Sequence, residues 1–332
     1  MKHGTKRFSA LNLLWILPLA VLLVFAVFMY LIPALERPDT APVAGSESWM
    51  KALDDSLPIS RVVLPGAHDA GTQNVQLAFI CKCQTLSVKE QLEAGFRYLD
   101  IRIGYGDWGF KLMHGFCECQ TGPWPWSQEL YLASVIDDCV EFLRENPTEF
   151  IVFAVKYEHV TVPVDEFLES DPMTDYIEDC PEGAWLLTDS IPQVGEARGK
   201  IVLLRRYGVP APEDGIKGLP FIWKDQKTHD DYTLDAADEP NGTYTLHVQD
   251  RFTFPVEEKW SAFKTACSEA VCGPQDISLI FLSTKGTAKY GHPYKYAKQL
   301  NARLLQADGL TGWIVVDFCT PQLAEKIYSA NF

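Results

Sequence analysis

Phe150-Ile151-Val152-Phe153-Ala154-Val155-Lys156 is an apolar run of strand length with a single cation at its end. A strand without polar alternation is buried on both faces, as in a parallel sheet covered by helices. Just before it, Ala133 to Arg144 carries Val135, Ile136, Cys139, Val140 and Leu143 on one helical stripe, and Asn146-Pro147 separates the two segments. Earlier, Arg61-Val62-Val63-Leu64 reads as a strand, Ser87 to Ala94 as a helix with a serine-to-glutamate cap, and Phe96 to Ile103 as another strand. Phe110 to Met113, Lys200 to Arg205, Thr245 to Gln249, Ser278 to Ser283 and Gly312 to Asp317 complete a series of eight. Strands alternating with helices over roughly 280 residues predict the α/β class and a (β/α)8 TIM barrel of parallel strands. The stretches 166 to 199 and 207 to 244 are irregular, so the barrel is expected to be distorted.

The N-terminus follows other rules. Lys2, Lys6 and Arg7 precede a run from Phe8 to Ile32 that has no charge and one internal proline, Pro18. At 1.5 Å per residue, roughly 20 apolar residues cross a hydrocarbon core of about 30 Å, so this run is long enough to span it. It reads as a single transmembrane signal anchor, with cleavage near Val43-Ala44-Gly45 and secretion as the alternative. The basic residues lie before the helix, which puts the remaining chain on the extracellular or lumenal side as a type II single-pass protein. Residues 1–7 are then a short cytoplasmic tail, 8–32 the span, 33–50 a tether and 51–332 the barrel.

The chain has 332 residues, 47% of them hydrophobic, enough for a large core. Its net charge of −15 argues against nucleic acid as a partner and requires any phosphate recognition to be local. Nine cysteines suit an oxidising compartment. Cys81-Lys82-Cys83 and Cys117-Glu118-Cys119 could bind zinc, but one-residue spacing is short for a zinc hairpin, and disulfides are the favoured reading. Cys267 and Cys272 flank a turn-like segment, while Cys139 and Cys319 lie in apolar patterns. Asn241-Gly242-Thr243 is a glycosylation sequon that fits the same compartment.

Polar residues fall at strand ends. His68 and Asp69 follow the first strand, Asp100 and Arg102 end the second, and His114 ends the third. Lys156, Arg205 with Arg206, Asp250 and Asp317 close four of the others. In parallel barrels the C-terminal strand ends build the site, so seven segments aim chemistry at one rim. Histidine moves protons near neutral pH, and arginine's forked donors match phosphate. His159, His229, His247 and His292 have no such placement and read as packing or surface residues. Trp124-Pro125-Trp126 is suited either to a lipid interface or to loop packing.

The stretches Leu64-Pro65-Gly66-Ala67-His68-Asp69-Ala70-Gly71-Thr72, Gln91 to Arg102, Met113-His114-Gly115 and Asn146-Pro147-Thr148-Glu149 together resemble the X-domain of bacterial-type phosphatidylinositol-specific phospholipase C. Gly199 to Arg206, Val248-Gln249-Asp250 and Val316-Asp317-Phe318 extend the likeness over about residues 55 to 325. The resemblance implies that His68, oriented by Asp317, is the base for the inositol 2-hydroxyl, and that His114, paired with Asp69, protonates the leaving diacylglycerol oxygen. It further implies that Arg102 stabilises the phosphoryl charge while Asp100 holds the network. Lys156, Arg205, Asp250 and Phe252 map onto headgroup-binding positions, with the choice between Arg205 and Arg206 left open. The implied products are diacylglycerol and inositol 1,2-cyclic phosphate. No cofactor is expected, and calcium in particular is not, since Arg102 and Lys156 stand where metal-dependent relatives place carboxylates. Ala70 replaces a usual serine and Phe252 a hydroxylated aromatic. A phosphodiesterase for another headgroup and a silent lipid-binding module are the alternatives, although Asp100-Ile101-Arg102 lacks the Glu-x-Asp that metal-dependent barrels require. Oligomeric state is not legible.

Overall fold

The computed structural model describes residues 10–159, 171, 173–207, 218–223, 226, 235–236 and 244–332. The sequon, His229 and the basic residues at 2, 6 and 7 lie outside them. Strands are numbered in chain order: β1 (Leu64–Ala67), β2 (Tyr98–Gly106), β3 (Gly109–His114), β4 (Cys117–Glu118), β5 (Ile151–His159), β6 (Trp185–Leu186), β7 (Ile201–Arg206), β8 (Leu219–Pro220), β9 (Asp235–Ala236), β10 (Thr245–Gln249), β11 (Asp276–Phe281) and β12 (Trp313–Val316). Their order is β6-β7-β5-β2-β1-β12-β11-β10-β9, parallel from β6 to β10. This is an α/β fold in which eight parallel strands curl as in a distorted TIM barrel.

Three expectations need correction. The first strand starts at Leu64, because Ile59–Arg61 is a 3-10 turn. The Phe110 to Met113 strand is no barrel stave: β3 folds back antiparallel on the long C-terminal half of β2, Ile103 facing Leu112, and then pairs β4. The eighth parallel strand is instead β6, inside a stretch read as irregular. A two-residue strand leaves too short a pattern for periodicity to reveal. β6 and β8 share the outer edge of β7, one low and one high, so this stave is split.

Among the described residues no backbone ladder joins β8 to β10. Side chains bridge the gap instead. Tyr244 Oη donates to the Pro220 carbonyl, Trp223 Nε1 donates to Asp250 Oδ2 at 3.1 Å, and Gln226 both donates to the Val248 carbonyl at 3.3 Å and accepts from the Asp250 amide at 2.6 Å.

Aromatic rings fill the interior. Tyr98, Phe221 and Trp313, all fully buried, have centroids 5.9 to 6.4 Å apart. Gly66 admits them: a Cβ there would meet the Tyr98 ring and Val315 at 3.0 Å. The outer helices include Val88–Glu93, whose Ser87 and Glu90 form the expected capping box, and Leu132–Glu145, which buries its apolar stripe.

At the barrel's base Arg97 and Glu149 make a fully buried ion pair of 2.9 Å. Arg97 also donates to the carbonyls of Ser46 and Glu47, and Glu149 accepts from the Met50 amide. Trp49 stacks on Tyr328 at 5.0 Å. Residues 46–50, expected as the end of a tether, therefore pack into the core. Trp15–Leu35 is a helix long and apolar enough to cross a membrane, which fits a signal sequence or an anchor.

Candidate active site

Sheet register brings the polar residues together. β1 lies between β2 and β12, with Ala67 level with Leu99 and with Val316, so His68 and Asp69 leave the sheet beside Asp100 and Asp317. Across β2, β5 and β7, Arg102, Lys156 and Arg206 are in register and form a cationic row. Parallel partners in register face the same side, which turns Arg206 into the barrel and Arg205 away. Arg206 lines the pocket, whereas Arg205 donates to the Gly218 carbonyl at 3.2 Å. Of the two arginines that the sequence left open, Arg206 is the one that faces the pocket.

The pocket holds about 470 Å³ and is lined by His68, Arg102, His114, Lys156, Asp250, Phe252 and Asp317, among others. Asp69 and Asp100 lie buried beneath it. His68 Nδ1 is 2.7 Å from Asp317 Oδ1, and Arg102 Nη2 donates to His68 Nε2 at 2.8 Å. This pairing fixes the neutral tautomer with its proton on Nδ1 and its lone pair toward the pocket. Burial by itself would lower the basicity of His68, but Asp69 and Asp317 outweigh it and raise its pKa above the ordinary value. His114 Nδ1 donates to the Cys81 carbonyl at 2.7 Å, which turns Nε2 toward Asp69 Oδ2, 3.5 Å away. The two imidazole centroids are 6.4 Å apart.

Asp100 organises the cations. Its Oδ2 accepts from Arg102 Nη2 at 3.0 Å and its Oδ1 from Arg206 Nη1 at 2.9 Å. Burial opposes its charge, yet the two guanidinium groups hold its pKa well below the usual carboxylate range. Arg102 Nε also reaches Asp69 Oδ1 at 2.9 Å. Gln84 ties the floor together, donating to the His68 and Val316 carbonyls and accepting from the Cys319 amide. Asp69 and Phe318 both adopt left-handed backbone, with φ of 45° and 52°. Aspartate tolerates that region, and for phenylalanine it costs on the order of 1 kcal/mol, a strain typical of functional turns.

Sequence reasoning missed the part that three residues play here. Glu158 lies 3.0 Å from Lys156 and 3.4 Å from Arg102, and those cations hold it at about 2 against the effect of burial. Its position two residues beyond Lys156 on the same strand face was the available signal. The Arg206 guanidinium lies 3.5 Å over the Trp223 ring, a contact between distant segments that no local pattern announces. Cys83 Sγ lies 4.0 Å from Asp69 Oδ2 and 3.8 Å from His114 Nδ1, and burial pushes its thiol well up.

The Cys-x-Cys pairs are joined once, by a disulfide between Cys81 and Cys117, while Cys83 and Cys119 are free and buried. Cys267 and Cys272 are also free. Among the described residues two sets could offer metal ligands within 4.8 Å: His68 with Cys83 and Asp317, and Asp69 with Cys83 and His114. Arg102 abuts both and disfavours a cation there. Trp124 and Trp126 stack on each other at 5.5 Å, largely exposed, and do not line the pocket. His247 pairs with Asp276, and His292 with Glu36.

The chain is 26% identical over 294 residues to the 1-phosphatidylinositol phosphodiesterase of Staphylococcus aureus (strain Newman), covering 82% of this chain and 88% of that protein. It is likewise 26% identical over 307 residues to the Listeria monocytogenes enzyme of the same name, covering 86% and 85%. A solved structure of a mutant phosphatidylinositol-specific phospholipase C from Staphylococcus aureus matches with a TM-score of 0.68 at 22% identity, over 87% of this chain and 99% of that one. The Listeria monocytogenes phospholipase structure matches at 0.62 and 22% identity, over 86% and 99%. These structures show the fold. No family model matches the chain.

Proposed function

Because the chain belongs to the bacterial phosphatidylinositol-specific phospholipase C family, we propose that it cleaves the phosphodiester of phosphatidylinositol, or of a glycosylphosphatidylinositol anchor, by intramolecular attack. His68 Nε2 takes the proton of the inositol 2-hydroxyl as that oxygen closes on phosphorus. Asp317, on Nδ1, stabilises the imidazolium that forms. Arg102, which contacts His68 Nε2 in the free pocket, moves its donors onto the phosphoryl oxygens as negative charge grows there. His114, as imidazolium held against Asp69, gives its proton to the departing glycerol oxygen. The products are diacylglycerol and inositol 1,2-cyclic phosphate. Lys156, Arg206, Asp250 and Phe252 hold the headgroup, the last by stacking on an inositol face.

The observation that carries this reading is the pair of imidazoles, 6.4 Å apart with Arg102 beside them, Asp317 on His68 Nδ1 and Asp69 within 3.5 Å of both Nε2 atoms. That spacing fits a phosphodiester between a base and an acid. Catalysis is proposed to need no calcium, because fixed cations in the Arg102, Lys156 and Arg206 row supply the positive charge. Phosphorus NMR of the protein with phosphatidylinositol micelles in excess chelator tests both points. The expected result is a cyclic phosphodiester signal that His68→Ala abolishes. Absence of turnover by the folded wild-type chain overturns the assignment, and turnover restored only by calcium overturns the metal-free mechanism.

A further inference from the structure

The apolar helix does not hang free of the barrel. Its last turns contact two segments of the catalytic domain. Phe28 sits edge-on to Phe79, with centroids 6.0 Å apart, and Phe79 stacks on His292 at 4.1 Å. His292 Nδ1 donates to the Phe79 carbonyl, and its Nε2 lies 2.7 Å from Glu36 Oε1, just past the helix end. The residues adjoining both contacts, Ile80 and Cys81 on one side and Tyr290, Gly291 and Pro293 on the other, line the active-site pocket. The anchor therefore grips the two walls of the pocket mouth.

Length sets the depth at which it does so. Ala10 to Leu35 is 26 residues of helix, roughly 39 Å at 1.5 Å per residue, close to the ~40–45 Å of a bilayer with its headgroups. With Glu36 and Arg37 at the headgroup surface, Phe28 lies about 12 Å lower, roughly 5 Å past the boundary where headgroups meet acyl chains. Phe79, packed on Phe28, comes to the same level. Phe116 and Tyr290, which also line the pocket, are 55% and 58% exposed among the described residues. Residues 15–26 of the helix are exposed along their whole length, and only its last turns pack on the barrel. A lipid leaflet is the one occupant that covers the helix and the lip together. The chain's charge of −15 gives it no bulk attraction to an anionic surface, so the covalent span has to supply the proximity.

We propose that the N-terminal helix is retained as an anchor and seats the pocket mouth on the leaflet from which it emerges, so that the protein takes inositol lipid from its own membrane and not from an apposed one. This rests on the phospholipase reading above. Full-length chain reconstituted into vesicles with one labelled phosphatidylinositol, mixed with protein-free vesicles carrying a second label, is expected to consume the first label at least about tenfold faster, as intramolecular access implies. Equal rates overturn the proposal. Phe79→Ser, outside the pocket, is expected to lower turnover within the host vesicle several-fold and to leave turnover of a monomeric short-chain phosphatidylinositol unchanged. An unaffected host-vesicle rate refutes the seating. A readout independent of chemistry is p-benzoylphenylalanine in place of Phe116, expected to crosslink to phosphatidylcholine of the host vesicles; no lipid adduct overturns the seating as well. Lipid crosslinking without turnover of either substrate instead overturns the phospholipase reading, and with it the choice of substrate membrane.

Discussion

Asp317→Asn removes one charge and keeps the shape. Asn can still accept from His68 Nδ1–H, so the 2.7 Å contact survives as a neutral hydrogen bond. What is lost is attraction between a carboxylate and the imidazolium formed during proton abstraction. At about 4 Å between charge centres and an effective dielectric near 20, that attraction is worth about 4 kcal/mol. Part of it is recovered by relaxation and by Asp69, whose Oδ2 lies 3.3 Å from His68 Nε2. A fall in kcat of about 10²- to 10³-fold is therefore expected, at 1.4 kcal/mol per decade. The pH profile separates catalysis from structure. A general base works unprotonated, so the acid limb of kcat/KM follows the His68 pKa, which lies above the ordinary value with Asp317 among the causes. Without Asp317 the remaining burial and Arg102 pull it down, and the acid limb moves to lower pH. Initial rates on short-chain phosphatidylinositol across the acid and neutral range measure both quantities. A wild-type kcat, or a depressed kcat with an unmoved acid limb, refutes the role given to Asp317.

Arg206→Ala is expected to raise KM about tenfold or more, the worth of a charged hydrogen bond, whereas Arg205→Ala leaves KM within about twofold; steady-state kinetics on the two variants decides which arginine meets the headgroup. Although burial opposes it, Arg102 and Lys156 hold Glu158 at about 2, below an unfolded value of 4.5. Its stabilisation is thus present above about pH 4.5 and lost as pH falls toward 2, on the order of 3 kcal/mol, and urea titrations of wild type and Glu158→Gln over that window should converge at the acid end. Replacing Cys81 and Cys117 by serine opens a link across 36 residues of sequence, which chain entropy values at about 4 kcal/mol; equilibrium unfolding of the double variant measures the loss.

The sequence declared its barrel where single segments were long enough to carry a period. Ile151 to Lys156, Tyr98 to Arg102 and Leu132 to Glu145 stand in the structure nearly as the apolar patterns drew them. It misled at Phe110 to Met113, since alternation marks a strand but not the direction in which it pairs. Trp185–Leu186 was invisible, being two residues whose pairing with β7 is a tertiary fact. For the site, the type and order of His68, Asp69, Asp100, Arg102, His114 and Asp317 were legible, and the register that gathers them follows from parallel strand order. The inward turn of Arg206 could have been counted from strand parity. The stacking of Trp223 and the approach of Cys83 to Asp69 could not, because each joins segments far apart in the chain.

The link between Cys81 and Cys117 reaches further than stability. The carbonyl that fixes the tautomer of His114 belongs to Cys81, and Cys117 sits on β4 directly opposite His114. The proposed acid is thus braced by both ends of one covalent clasp. A chain still in its reduced form would carry every active-site side chain and lack the frame that aims one of them. Closing the clasp would then be a step of maturation, because it ties together the two elements that aim His114.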